Sequence, residues 1–159
     1  MRYLLISPRR LAPEARKRCG MPNGQLIQHT PDSSRGLRHA EEDLERAISS
    51  CGPLPWLVAA GPAVALLQHV VTRTLSARIM GAILLHPADW AEDRIALPLT
   101  DTPFAFPVLT LGASAFRVAA WQAVELPANS QDQILLTPAF TSLLAARRAA
   151  LQRAGALVS

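Results

Sequence analysis

Few side chains in this sequence have the type and spacing for chemistry, and most of them stand at the ends of apolar runs. Ser114, in Gly112-Ala113-Ser114-Ala115-Phe116, follows the run Val108-Leu109-Thr110-Leu111. A serine becomes a nucleophile only with a base in hydrogen-bond reach, and no histidine follows Ser114 in the chain. His86 and Asp89 lie just past another apolar run, Ile79 to Leu85, where sites form in open α/β sheets. His86 is the one nonstandard base that Ser114 could recruit; it is otherwise a pH-sensitive ligand group or a satisfied, partly buried side chain. Ser114 is expected as an ordinary turn residue, with the relocated nucleophile as the alternative. Arg9 and Arg10 follow the first apolar run, and their guanidinium groups suit a carboxylate or a phosphate. Arg9, Arg10, His86 and Asp89 therefore form the candidate ligand-binding set. Gly61-Pro62 opens a helix and could offer backbone N–H groups to an anion, although Pro62 removes one donor.

The remaining reactive types point to ordinary roles. Cys19 sits among Arg16, Lys17 and Arg18, which could lower its pKa and make it reactive; the plainer expectation is an inert thiol. Cys51 continues the apolar face of a helix and is expected in the core. His29, His39 and His69 are scattered, and none pairs with another histidine and a third ligand at metal spacing. No metal and no cofactor are expected. Glu41, Glu42, Asp43 and Glu45 recur on what reads as the wet face of a helix.

The chain has 159 residues, enough for one domain, and 50% are hydrophobic, enough for a packed core. No apolar run reaches the ~18 residues that span a bilayer, and MRYLLISPRR is too short in its apolar part for a signal peptide. A cytoplasmic protein with no membrane partner is expected. The net charge of +4 is uneven, with Arg2, Arg9, Arg10, Arg16, Lys17 and Arg18 set against Glu14 alone at the start. No aromatic residues interleave with this cluster, so a solvated basic face is expected rather than a nucleic-acid surface.

The elements that must position these residues alternate. Tyr3–Ile6, Trp56–Ala60, Ile79–Leu85 and Val108–Leu111 are continuous apolar runs, the pattern of strands buried on both faces. Gln25–Gln28 reads as a further short strand, and a last strand is expected near Trp121–Leu126. A short basic helix is expected from Pro13 to Gly20. Leu37, Ala40, Leu44, Ala47, Ile48 and Cys51 recur at helical spacing, and Ala63 to Leu75 reads as a buried helix. Thr137 as N-cap and Pro138 at the first helical position start a C-terminal helix over 137–153. Residues 32–36 and 88–106 read as loops. Strands alternating with helices imply an α/β fold, a three-layer sandwich with a mostly parallel central sheet. A flavodoxin-like domain is the alternative arrangement.

The order of these segments over residues 2–126 resembles the small serine α/β-hydrolases related to the retinoblastoma-binding hydrolase. The resemblance runs through Leu4-Leu5-Ile6, Gly20 to Leu26, Leu57-Val58-Ala59, Gly81 to Asp89 and Phe104 to Leu111. It implies a reduced α/β-hydrolase-like domain over 1–159, and it implies where catalytic residues would stand. The nucleophile position of the Gly/Ala-x-Ser-x-Gly elbow falls on Gly61, within Ala59-Ala60-Gly61-Pro62-Ala63. The acid position falls in 112–116, which holds no carboxylate, and the glycine-rich first loop reads Pro8-Arg9-Arg10-Leu11. The resemblance thus implies a degenerate member without its triad.

Three functions follow as expectations. The first is a noncatalytic protein that binds an unknown protein partner. The second is a binder of a small anionic ligand in the former active-site pocket. The third is a serine hydrolase or esterase with rearranged residues. At the old site, either Arg9 or Arg10 reaches inward and pairs with Asp89 or an anion, or both point to solvent while apolar side chains fill the space. The second arrangement is expected, since exposed Arg is the commoner state.

Overall fold

In this computed structural model, residues 2–21, 26–29, 36–71, 79–92, 95–127 and 133–157 are described. The apolar runs become strands β1 (Tyr3–Ile6), β3 (Trp56–Ala60), β4 (Gly81–Leu85) and β7 (Val108–Leu111), with β2 (Leu26–His29) and β8 (Val124–Glu125) at the edges. They form one parallel sheet in the order β2-β1-β3-β4-β7-β8. Register pairs Leu5 with Val58, Val58 with Ile83 and Ile83 with Leu109. All residues of β1, β3, β4 and β7 are buried, which explains why their sequences are continuous rather than alternating.

Alternation persists in where the side chains go. Leu4, Ile6, Leu57, Ala59, Ala82, Leu84 and Val108 pack with helices α2 (Gly36–Ser50) and α3 (Ala63–Val71). Leu5, Trp56, Val58, Ile83, Leu85, Leu109 and Leu111 face the other way, toward α1 (Ala12–Cys19) and α5 (Pro138–Arg153). The molecule is thus a three-layer α/β sandwich, helices on both faces of a parallel sheet. Parallel strands expose their C-terminal ends along one edge, and there the loops after β1, β3, β4 and β7 meet.

Helix ends follow their local chemistry. Thr137 caps α5 by accepting from the Phe140 N–H at 3.3 Å, and its hydroxyl donates to the Ile134 carbonyl at 2.7 Å. On α2, Ala40, Leu44 and Ile48 are buried, while Arg38 pairs with Glu42 and Arg46 with Asp43 at its surface.

Several expectations are corrected. The loop read over 88–106 contains an antiparallel hairpin, β5 (Trp90–Glu92) with β6 (Ile95–Leu97). Its rear part is pinned by the buried Gln68, whose amide donates to the Thr100 and Thr102 carbonyls and accepts from the Thr100 N–H. The last strand is shorter than read: residues 115–120 form helix α4 (Ala115–Ala120), and only Val124–Glu125 pair with β7. A short 3-10 helix, Ile134–Leu136, precedes α5. Pro22 to Gln25, the loop over 32–35 and the extension of α3 to Leu75 lie outside the described residues.

Candidate functional site

The turn from β3 into α3 is sharp. Gly61 stands at its apex with φ of +57°, in the left-handed region that side-chain-bearing residues avoid. The Gly61 N–H donates to the Leu85 carbonyl at 2.8 Å, and its own carbonyl accepts from Val64 and Ala88, so the turn is tied to both α3 and the exit of β4. Pro62 follows and has no N–H to offer. A Cβ at Gly61 would lie 2.8 Å from Leu11 Cδ1; the leucine occupies the space into which any side chain there would grow.

Around this turn lies a cavity of about 220 Å³. The C-terminal ends of the strands supply Ala60, Gly61, Leu85, His86 and Leu111, and α1 with its N-terminal turn supplies Leu11, Glu14, Ala15 and Arg18. The strand-derived aliphatic residues and Ala15 are buried. Arg18 is half-buried, while Glu14 and His86 are exposed at the mouth. His86 leaves β4 with φ of +46°, held by its N–H donating to the Leu111 carbonyl at 2.7 Å. Its ring lies against Gly112, φ +80°, where a Cβ would come within 2.3 Å of His86 Nδ1. Gly112 therefore leaves both the turn and the room that seat this imidazole.

Gly61 and His86, placed together from sequence, do meet at this cavity. Arg9 and Arg10 are exposed and are not among its lining residues. Asp89 is exposed too, and its carboxylate accepts from the Leu99 N–H at 2.8 Å, which ties down the segment after the hairpin. Ser114 is exposed and caps α4, accepting from the Arg117 N–H at 3.3 Å, with φ of −66°. It sits on ordinary extended backbone, two residues past the left-handed Gly112, and not at the apex of a turn. The cavity residues that sequence reasoning missed are Leu11, Glu14, Ala15 and Arg18. Their spacing of three and four is a helical stripe, and only the arginines before and after it drew attention.

The other reactive groups lie elsewhere. Cys19 is fully buried, and burial pushes its thiol up to about 12 even though Arg18 pulls the other way. This fits the plainer expectation of an inert thiol rather than the activated alternative, because desolvation outweighs the neighbouring charges. Burial likewise raises Cys51, a core residue. His69 is half-buried with its Nε2 against the Glu41 carboxylate of α2, so Glu41 leaves the wet face on which it was read. His39 lies at the surface of α2 near Glu42, and His29 lies in β2. Among the described residues, no three His, Cys, Asp or Glu side chains are grouped to hold a metal ion, and no helix is long and apolar enough to cross a membrane.

No protein-family model matches the chain, and no curated protein matches it. Among solved structures it is similar to a Pectobacterium atrosepticum protein provisionally named a YdeN-like hydrolase. Identity is 18% and the TM-score 0.57, over 92% of this chain and 89% of that one. The fold is α/β-hydrolase-like. A Xanthomonas campestris pv. campestris protein, provisionally named a hydrolase of the α/β superfamily, is also similar, at 14% identity and TM-score 0.46, covering 96% of this chain and 98% of that one. In this hydrolase-like fold the cavity beyond β3 lies at the sheet edge where α/β proteins bind ligands.

Proposed function

We propose that the chain is a noncatalytic α/β-hydrolase-like protein that holds a small molecule in the cavity beyond β3 without turning it over. One observation carries this reading. In α/β hydrolases the serine stands on a strained strand-to-helix turn, and the N–H of the next residue helps bind the oxyanion. The turn after β3 has that left-handed apex at Gly61, φ +57°, followed by Pro62. Glycine has no hydroxyl with which to attack, and proline has no N–H with which to stabilise the developing charge. Two independent parts of the chemistry are missing within two adjacent residues.

Further features agree with this reading. The turn after β7 holds no carboxylate over 112–116, and Ser114 is engaged as a helix cap. A descent from small serine hydrolases related to the retinoblastoma-binding hydrolase accounts for a retained turn and cavity with replaced reactive residues. A purified-protein assay tests the proposal. A fluorophosphonate probe is expected to leave the chain unlabelled, and p-nitrophenyl acetate is expected to turn over no faster than with heat-denatured protein. Labelling that disappears in Ser114→Ala would return the chain to the active hydrolases.

A protein partner is the second reading, favoured by one observation: Phe116, on α4 beside Ser114, is 65% exposed. A large exposed aromatic side chain is a common anchor of protein interfaces. A complex isolated from the native cell that is lost on Phe116→Glu would support it.

A further inference from the structure

We infer that the cavity beyond β3 takes a small molecule with an apolar body and one hydroxyl group, the hydroxyl hydrogen-bonded to the His86 imidazole at the mouth. This rests on the binding reading above and names the ligand class for that site. Size comes first. A dry apolar cavity of about 150 Å³ accepts benzene, so one of about 220 Å³ accepts roughly nine non-hydrogen atoms. The strand ends make its floor aliphatic: Ala60, Leu85 and Leu111 are at most 4% exposed. An apolar body is stabilised there by leaving water, whereas a polar group set on that floor would lose its water without gaining a partner. The ligand's polar group therefore belongs at the mouth.

His86 stands there with its backbone and its ring both fixed. Its φ of +46° lies in the left-handed region, uncommon for any residue with a side chain. Strained positions of this kind gather at ligand clamps, where the surrounding structure over-determines them. Here the Leu111 carbonyl holds the His86 N–H, Ala88 donates to the Gly61 carbonyl, and the ring rests on Gly112. The segment is thus tied to the turns after both β3 and β7. Nδ1, Cε1 and Cγ are the ring atoms nearest Gly112, which leaves Nε2 on the far edge. Among the described residues, neither ring nitrogen has a hydrogen-bond or ion-pair partner, whereas Arg18, which also lines the cavity, is already engaged within the chain. A neutral imidazole carries one donor and one acceptor nitrogen, and a hydroxyl both donates and accepts. An alcohol or phenol therefore pairs with Nε2 whichever nitrogen holds the proton, while a ketone or ether pairs with only one of the two forms. A ring already held in place also loses little freedom on making that bond.

The test uses the isotope-labelled full-length chain and two probes of one shape, p-cresol and p-xylene, which differ by a hydroxyl in place of a methyl group. Binding is followed by NMR through the amides of Gly61 and Leu111, and the ring nitrogens of His86 are followed directly. Both probes are expected to shift the two amides saturably, and p-cresol is expected to move the His86 Nε2 resonance well beyond p-xylene. His86→Phe keeps a ring beside Gly112 and removes both nitrogens. It should weaken p-cresol roughly threefold to tenfold, the worth of one neutral hydrogen bond, and leave p-xylene unchanged; that unchanged binding shows the variant is folded. Leu11→Trp, which fills the cavity, should weaken both probes. Equal weakening of the two probes in a folded His86→Phe chain overturns the hydroxyl inference and leaves the cavity reading standing. So does p-cresol binding that moves Nε2 no more than p-xylene does, a comparison made on the unaltered chain and independent of how the variant folds. No saturable shift at Gly61 or Leu111 with either probe overturns both.

Discussion

Replacing Gly61 with serine places a hydroxyl on the turn after β3 and tests the structural and the chemical arguments together. With φ at +57°, any side chain at this position pays the cost of left-handed backbone, about 1–2 kcal/mol. The new Cβ also meets Leu11 Cδ1 at 2.8 Å. That atom is the tip of a flexible side chain beside a cavity, so it swings aside for roughly 0.5–1 kcal/mol of rotamer strain. The sum is about 2 kcal/mol, which for a chain of this length lowers Tm by roughly 4–8 °C. Gly61→Ala should fall by the same amount, since neither the hydroxyl nor its absence enters the cost. Thermal unfolding followed by circular dichroism measures both. Catalysis should not appear: Pro62 still withholds its N–H, and 112–116 still lacks a carboxylate. Fluorophosphonate labelling of Gly61→Ser should stay at background. An unchanged Tm would refute the left-handed turn, and ester turnover by the variant would refute the claim that the N–H missing at Pro62 matters.

Two further outcomes are expected. Gly112→Ala combines φ of +80° with a Cβ 2.3 Å from His86 Nδ1; it should cost about 1–3 kcal/mol in urea unfolding and shift the His86 ring resonances, while unmoved resonances would show that the ring does not rest there. Cys19 should resist a thiol-specific disulfide reagent at pH 8 in the folded state and react once unfolded. Its thiol titrates at about 12 when folded and near ~8.5 when unfolded. The unfolded chain therefore releases its proton first, so the thiol's contribution is fully present below ~8.5 and is lost as pH rises toward the folded value. Urea melts of wild type and Cys19→Ala between pH 8 and 11 should diverge in slope, and parallel pH profiles would refute the buried thiol.

Much of the fold was legible because burial on both faces leaves a continuous apolar run. β1, β3, β4 and β7 were readable for that reason, and the helical patterns between β1, β3 and β4 pointed to a parallel sheet. The amphipathic stripe of α2 and the Thr137-Pro138 start of α5 were equally plain. The hairpin β5–β6 was not, because three-residue strands show too little alternation to stand out from a loop. Helix α4 buries none of its residues, so it leaves no apolar stripe to find. At the site, Gly61 and His86 could be brought together from sequence, since parallel strands end on one edge.

By itself, then, the sequence determined the layers, the sheet, the absence of a hydroxyl at Gly61 and the absence of an N–H at Pro62. Only the tertiary structure decided which cations face the cavity and what Cys19 is. Helical side chains turn by about 100° per residue, so Arg18 lines the cavity with Leu11, Glu14 and Ala15 on one stripe, while Arg16 and Lys17 do not. Arg9 and Arg10, beside them in sequence, remain in solvent. Cys19 has three cations next to it in the chain, which left an activated thiol open beside the inert one, and its thiol is enclosed by packed neighbours. Loss of solvent depends on every atom around a group, and that sum is set by the packing of distant segments rather than by neighbours along the chain.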